Sequence, residues 1–308
     1  MSQNPWGQPL PSWPAIPPVG PRFDPADPLI SDDYAGWWRR GFAVLGAARR
    51  PMAMLQLLLA VPVLALSIPS EIAYERQQRA VDAMLDTPGG DVSFGEVLKP
   101  GLTLMAGALP AGLIFVFAML AAVRMTTVAA TGGNPTVGAA LRAALRRVPA
   151  MMGWYVVAAG ICLLAVVLCF LPLLYVGAVL TILPAVVQLE RGNAISRCFR
   201  LFHADIGASI SRVATIGGLS LAATVVMFVA TLIAQVVLQG SAAFDPSVEV
   251  SAGSVTALGV VTAVLQTLTY LFSCFILTPL TVTAYADMRA RREPFSTAYL
   301  AEPATTGA

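Results

Sequence analysis

Three arginines, Arg39, Arg142 and Arg200, occupy the same place in three similar stretches of the chain. In each stretch, mostly apolar side chains recur at spacings of four, four and three residues, and the arginine directly follows the second of them. On a helix of about 3.6 residues per turn these side chains form one stripe, and the arginine projects about 100° away from it. Such an arginine suits the membrane interface, so we predict contacts with anionic lipid headgroups. The stripes are Tyr34, Trp38, Phe42 and Leu45; Val137, Leu141, Leu145 and Val148; and Ile195, Phe199, His203 and Ile206.

Three further charged residues, Glu190, Asp287 and Arg289, are candidates for contacts at the same interface. Glu190 lies where a hydrophobic run ends at Leu189 and a basic amphipathic stretch begins. Asp287 and Arg289 lie in the charged sequence that ends the last hydrophobic segment. Charged residues at such boundaries meet both headgroups and water, and we therefore include all three among the predicted interface residues.

Sequence patterns of enzymes and metal sites are absent. The chain has no HExxH or GxSxG motif and no pair of acids inside a hydrophobic segment. Its four cysteines form no CxxC pair and are expected to be free thiols. The turn at 132–135 contains two glycines but lacks the GKS/T sequence of a phosphate-binding loop. We therefore predict no catalytic residue, no metal, no cofactor and no nucleic-acid partner.

Composition indicates an integral membrane protein. Hydrophobic residues make up 57% of the chain, and charged residues make up 12%, against roughly 25% in soluble domains. The mean hydropathy is +0.73. Because one helix needs about 20 apolar residues to cross a bilayer, the hydrophobic runs predict six transmembrane helices. We expect them at 51–69, at 101–123, twice within 150–189 with a turn near 170–172, at 213–239 and within 255–286.

The predicted fold is all-α, with six transmembrane helices in three hairpins, each preceded by an amphipathic helix on the cytoplasmic face. These surface helices are expected at 34–48, 137–149 and 194–206. The alternative is that the three stretches are cytoplasmic extensions of the spans. Residues 1–31 contain nine prolines and are expected to form a disordered cytoplasmic tail. The membrane domain is then 32–292, and 293–308 is a polar tail.

The distribution of basic residues predicts the orientation. Sixteen of the 19 lysine and arginine residues lie in the termini and in the loops around 124–149 and 190–212. Because cytoplasmic loops are enriched in basic residues, both termini should be cytoplasmic, while 70–99 and 240–254 should face outward. Lys99 is the only lysine, and this bias towards arginine suggests a GC-rich bacterial genome. We therefore expect a multi-pass protein of a bacterial plasma membrane.

Two short motifs resemble those of a known family. They are PAVVQLERGNA at 184–194 with FRL at 199–201, and a proline at 279 followed by YADMRARRE at 285–293. Over about 135–295, the chain is similar to the membrane domain of glycerophosphoryl diester phosphodiesterases and to related actinobacterial membrane proteins of unknown function. The resemblance implies a fold and a membrane location. Catalysis in those phosphodiesterases belongs to a separate soluble barrel domain, and no part of this sequence has its length or its catalytic groups, so we expect no such activity.

Two function hypotheses remain open from the sequence. The first is a non-catalytic protein that organises lipids or partners at the cytoplasmic face, because three arginine-bearing amphipathic stretches would lie there. The second is a permease or transporter subunit, because six spans and repeated hairpins are typical of transporters. A lipid-modifying enzyme would need a catalytic group inside the membrane, and the sequence offers none.

Overall fold

The computed structural model describes residues 24–86, 92–168, 170–240, 248 and 250–301. Among these residues helices dominate and no strand occurs. A π-helical segment, Ser273–Leu277, joins α9 to α10, and a 3₁₀ turn, Thr297–Leu300, follows α10. The α-helices are, in chain order, α1 (Tyr34–Asp86), α2 (Phe94–Ala130), α3 (Val137–Leu145), α4 (Val148–Leu168), α5 (Phe170–Leu180), α6 (Leu183–Leu189), α7 (Ala194–Phe202), α8 (Ile206–Gln239), α9 (Ala252–Phe272) and α10 (Thr278–Arg292).

Six stretches of helix are long and apolar enough to cross a membrane, which confirms the all-α class and the predicted number of spanning segments. The predicted turn near 170–172 is not seen at those positions, because they belong to helix α5, and residue 169 between α4 and α5 lies outside the described residues. The six stretches are Tyr34–Leu85, Phe94–Ala130, Val148–Val167, Leu171–Leu189, Ile206–Gln239 and Ala252–Arg292.

Large apolar side chains cover the outside of the protein. On α4, Leu163 and Val167 are 66% and 77% exposed, and on α8, Leu221, Phe228 and Val237 are 65%, 59% and 74% exposed. Scattered exposed apolar residues are normal on soluble proteins, but continuous apolar surfaces are not. The described surface is therefore typical of a multi-pass membrane protein.

Helix α1 corrects the prediction of a separate surface helix at 34–48. It runs from Tyr34 to Asp86 without a break and includes Pro51, where we expected the first span to begin. A proline inside a helix removes one hydrogen bond, but neighbouring helices can hold a membrane helix together around it. Such packing surrounds Pro51, because Met52 and Leu55 are fully buried in the core. In the first unit, the amphipathic stretch is therefore an extension of the span, as in the alternative considered above.

Helices α3 and α7 are short and separate, as predicted, but they bury a different face. On α3, Ala140 and Ala144 are buried in the core, whereas Leu145 of the predicted stripe is 65% exposed. On α7, Cys198 and Leu201 are fully buried, next to the predicted stripe. Small residues allow helix backbones in membranes to approach closely, so the face with alanine and cysteine packs inward. The larger apolar side chains then lie at the edge of the contact.

The N-terminal segment 24–33 corrects the predicted boundary of the disordered tail. Residues 1–23 lie outside the described residues, but Leu29 and Ile30 are buried among residues of α2 and α10. The carboxylate of Asp27 accepts hydrogen bonds from the backbone N–H and the hydroxyl of Thr297. Burial opposes ionisation of Asp27, but the hydrogen bonds from Thr297 outweigh it and lower its pKa. The start of the predicted C-terminal tail is thereby attached to the helical bundle.

Candidate functional site

One end of the protein carries most of the described arginines. We call it the arginine-rich end, and it consists of α3, α7, the N-terminal turns of α1 and α8, and the C-terminal turns of α2 and α10. Here Arg39, Arg142 and Arg200 are all exposed, as predicted for interface residues. They lie on α1, α3 and α7, and none of them forms an ion pair within the described part of the chain.

A first network of charged side chains joins α7 and the loop between α6 and α7 to the C-terminal end of α10. Nε of Arg197 donates to Oε2 of Glu190 at 2.7 Å, and Nη2 donates to Oε1 of Glu190 at 3.1 Å. The same Nη2 also donates to Oε1 of Glu293 at 2.7 Å. The hydroxyl of Tyr285 donates to Oε1 of Glu190 at 2.6 Å. Arg289 completes the network by donating to Oε1 of Glu293 and to the hydroxyl of Tyr285. The five side chains therefore hold one another in place.

The pKa values of this network reflect the same contacts. Partial burial disfavours the charge on Glu293, but hydrogen bonds from Arg197 and Arg289 outweigh burial and lower its pKa. Burial likewise opposes the charge on Arg197, but its bonds to Glu293 and Glu190 raise its pKa above the ordinary value. Both groups are therefore stabilised in their charged forms, which fits a structural network.

A second network lies deeper and joins α8 to α10. Nε of Arg212 lies 2.9 Å from Oδ2 of Asp287, and the two side chains are 2% and 0% exposed. Arg291 bridges outward from this pair, with contacts of 3.1 Å to Asp287 and 2.6 Å to Asp205. Arg291 also donates to the backbone oxygen of Asp32 at 2.9 Å. Because buried charges are costly unless they are paired, this network fixes how α8, α10 and the N-terminal segment fit together.

Asp205 links the second network to the start of α8. Its Oδ1 accepts a hydrogen bond from the backbone N–H of Ala208 and so caps the helix. That bond and the neighbouring Arg291, against a smaller opposing effect of burial, lower the pKa of Asp205. The carboxylate is therefore ionised over the physiological range, both as a helix cap and as a partner of arginine.

The two networks change the interpretation of three predicted interface residues. Glu190 and Arg289 are committed to the first network, and their side chains are only 16% and 23% exposed. Asp287 is fully buried, so it has no surface on which to meet a lipid headgroup. These three residues hold helices together at the arginine-rich end. The sequence reasoning missed their partners Arg197 and Arg212, and only the short separation of Glu190 from Arg197 across a turn could have suggested a pair.

A basic cavity of about 300 Å³ lies between the C-terminal turn of α2 and the start of α3. Arg124 of α2 lines it together with Arg142 and Arg146, and Asn134 and Thr136 add polar groups from the turn and the helix start. No carboxylate and no histidine lines this cavity. A second concavity of about 420 Å³ shares Asn134 with it and is lined by Arg49 and Arg50 of α1. The arginine-rich end is thus both positively charged and concave.

A different cavity of about 280 Å³ opens beside the π-helical segment, between α2, α6 and α8. Its lining is mainly apolar, with hydroxyls from Ser220, Ser273 and Thr278. Most hydroxyl protons in the lining are donated to backbone oxygens of the same helix, as for Ser273, which donates to the oxygen of Thr269 at 2.9 Å. No charged side chain lines this cavity.

Comparison of the chain with protein-family models, curated proteins and solved structures found no match. The architecture nevertheless defines a class: an all-helical protein with six segments that can cross a membrane. Within the described residues, no group of three or more histidine, cysteine, aspartate or glutamate side chains is arranged to hold a metal ion.

Proposed function

We propose that the protein is a non-catalytic membrane protein that gathers anionic lipids at its arginine-rich end. One observation carries this proposal. The carboxylates of Glu190, Asp205, Asp287 and Glu293 are all used in the two internal networks, so arginines outnumber the remaining exposed carboxylates, which are those of Asp24, Asp32 and Asp33, on the surface of this end. A surface with such an excess of exposed guanidinium groups attracts phosphate-bearing headgroups.

The proposal includes an orientation. The six spans form three hairpins, and the arginine-rich end faces the cytoplasm of a bacterium, with both termini on that side. Contacts between α1 and α2 support the first hairpin, because Thr103 donates to Gln77 at 2.8 Å and Gly107 lies against Ser70. Helices α3 and α7 then lie at the cytoplasmic interface, and α1 contributes its first turns as an extension of the first span. Protein partners, where present, would dock on this same surface.

The expected strength of the interaction is modest for each residue. A basic residue close to an anionic leaflet contributes about 1 kcal/mol. At each of Arg39, Arg142 and Arg200 this corresponds to a local enrichment of anionic lipid of roughly 5-fold. The enrichment should be sensitive to salt, because exposed charges are screened within about 10 Å at 0.1 M ionic strength.

Lipid nanodiscs test the proposal. The purified protein is placed in phosphatidylcholine discs with a small fraction of fluorescent phosphatidylglycerol, and energy transfer from the protein's tryptophans measures enrichment. We expect enrichment over a fluorescent phosphatidylcholine, a marked loss in the triple variant R39Q/R142Q/R200Q, and retention in R39K/R142K/R200K, which keeps the charge. Equal signals for the two fluorescent lipids in the wild-type protein would overturn the proposal.

The alternative function, a permease or transporter subunit, is favoured by one observation. The cavity beside the π-helical segment has five hydroxyl-bearing side chains and no charged side chain in its lining, namely Thr181, Ser220, Ser273, Thr278 and Thr281, and π-helical segments are frequent at functional sites. A neutral polar solute would suit this lining better than an ion. Uptake of such solutes into proteoliposomes, compared with the variant Ser220→Leu that fills the cavity, distinguishes this function from lipid organisation.

A further inference from the structure

The basic cavity between α2 and α3 has the properties of a binding site for a phosphate group. Its wall is built from the end of one long helix and the whole of a short one, so the arginines are held by two elements. Its volume of about 300 Å³ is at the lower end of the range of about 300–1,000 Å³ typical of small-molecule sites. It is therefore the size of a headgroup.

Arg142 of α3 and Arg146, which directly follows α3, repel each other, and a bound anion would remove this repulsion. Arg142 and Arg146 are four residues apart, so their side chains are neighbours on the helix surface. Like charges at this spacing destabilise a helix, and neither arginine has an ion-pair partner in the part of the chain that the structure describes. An anion bound between Arg142 and Arg146 would be attracted by both guanidinium groups and would offset their mutual repulsion. The guanidinium of Arg124 on α2 lines the same cavity.

The N-terminus of α3 adds a second, independent source of positive potential. Thr136 is at the N-cap position, but its side chain makes no capping hydrogen bond. The first backbone N–H groups of the helix therefore lack a side-chain acceptor, and Thr136 and Ala139 both line the cavity. Such N–H groups and the helix dipole favour anions. On α7, by contrast, Oδ1 of Asn193 accepts from the backbone N–H of Ser196 at 2.9 Å and fills this role.

We propose that this cavity binds a terminal phosphate monoester, and that the phosphate belongs to a lipid headgroup or to free phosphate. The proposal rests on the proposed function, because it names the anion that the arginine-rich end recognises most strongly. A phosphate monoester carries up to two negative charges near neutral pH, whereas the phosphodiester of an ordinary glycerophospholipid carries one. Three guanidinium groups and a helix N-terminus, with no carboxylate in the lining, favour the more highly charged group.

The experiment compares two anionic lipids at equal mole fraction in phosphatidylcholine nanodiscs: phosphatidate, a monoester, and phosphatidylglycerol, a diester. Native mass spectrometry of the protein released from the discs counts the lipids that stay bound. We expect a preference for phosphatidate of at least about tenfold, since charged hydrogen bonds are the strong ones. The preference should disappear in R142Q/R146Q and persist in R142K/R146K. The control R39Q/R200Q changes arginines outside the cavity and should keep it.

Each outcome has a definite meaning. Enrichment of both lipids to the same extent, together with no binding of inorganic phosphate, would leave the proposed function standing and overturn the phosphate-monoester site. Enrichment of neither lipid would overturn both. Inorganic phosphate provides the second arm: if it binds the wild-type protein and not R142Q/R146Q, while phosphatidate shows no preference, the site is confirmed with free phosphate as its ligand. Circular dichroism of each variant confirms that loss of binding is not loss of folding.

The pH dependence gives a further readout that a general attraction of charges would not show. No carboxylate or histidine lines the cavity, so the titrating group is the phosphate itself. Its second pKa is about 6, and the preference for phosphatidate should therefore fall as the pH is lowered through that value. An unchanged preference between pH 8 and pH 5 would contradict recognition of the doubly charged form.

Discussion

The buried ion pair between Arg212 and Asp287 makes a sharp prediction about stability. Replacing Asp287 by Asn keeps the shape of the side chain but removes its charge, and leaves the guanidinium of Arg212 buried at 2% exposure without a counter-charge. Breaking a buried ion pair by removing one partner costs about 3–5 kcal/mol. Arg212 keeps its bond to the backbone oxygen of Ala208, so we expect a cost of about 3 kcal/mol, or roughly 100-fold in the unfolding equilibrium.

The double variant R212M/D287L tests the physical reasoning behind this number. Replacing both partners by apolar side chains removes the desolvation cost together with the attraction, and such replacements are often neutral. Arg291 keeps its partner Asp205, 2.6 Å away. The double variant should therefore be more stable than the single variant D287N, although both partners of the native ion pair are replaced in it. Unfolding in mixed micelles, followed by circular dichroism, measures both free energies.

The exposed Lys99 offers a control, because it forms no ion pair in the described residues and K99M should change the free energy of unfolding by less than about 0.5 kcal/mol. The reasoning is refuted if D287N is as stable as the wild-type protein. It is also refuted if the double variant R212M/D287L is less stable than D287N, since the loss would then not come from an unpaired buried charge.

Three other predictions concern pH, topology and catalysis. Hydrogen bonds from Arg197 and Arg289 outweigh burial and lower the pKa of Glu293 in the folded protein. The contribution of Glu293 to stability is therefore complete above its ordinary pKa of 4.5 and is lost as the pH falls through the lower folded value. Thermal unfolding between pH 7 and pH 3 should show this loss of stability, and the loss should be smaller in E293Q. In a variant without native cysteines, an impermeant thiol reagent added to intact cells should label G95C and not R191C, and the reverse result would invert the orientation. The purified protein should not hydrolyse glycerophosphodiesters above a detergent control, and turnover that is lost on mutation of a single acid would contradict this.

The number and kind of spanning segments could be predicted from the sequence because hydropathy is a local property. Each run of about 20 apolar residues must satisfy its own backbone hydrogen bonds in lipid, so it forms a helix wherever it lies in the chain. The turn predicted near 170–172 stays a prediction, because Pro172 itself lies within α5 and residue 169 lies outside the described residues. The continuity of α1 across Pro51 was missed, because it depends on tertiary packing around the proline, where Met52 and Leu55 are fully buried in the core.

Most of the contacts at the arginine-rich end could not be predicted from the sequence. Arg212 and Asp287 are 75 positions apart in the chain, and no local pattern distinguishes this pair from other combinations of arginine and aspartate. The exposed arginines Arg39, Arg142 and Arg200 were predicted because amphipathic spacing is local. The cavity that unites Arg142 with Arg124 was not, because it depends on how the turn at 132–136 brings α3 back against α2.

Photo-crosslinking with a phosphatidylglycerol analogue, followed by peptide mapping, tests the central claim most directly. If the arginine-rich end gathers anionic lipids, crosslinks should concentrate in residues 34–50, 137–148 and 194–206 and fall in R39Q/R142Q/R200Q. A phosphatidylcholine analogue with the same photoreactive group should show no such concentration. Crosslinks spread evenly over both ends of the spans, and unchanged in the triple variant, would contradict the claim that this surface organises anionic lipids.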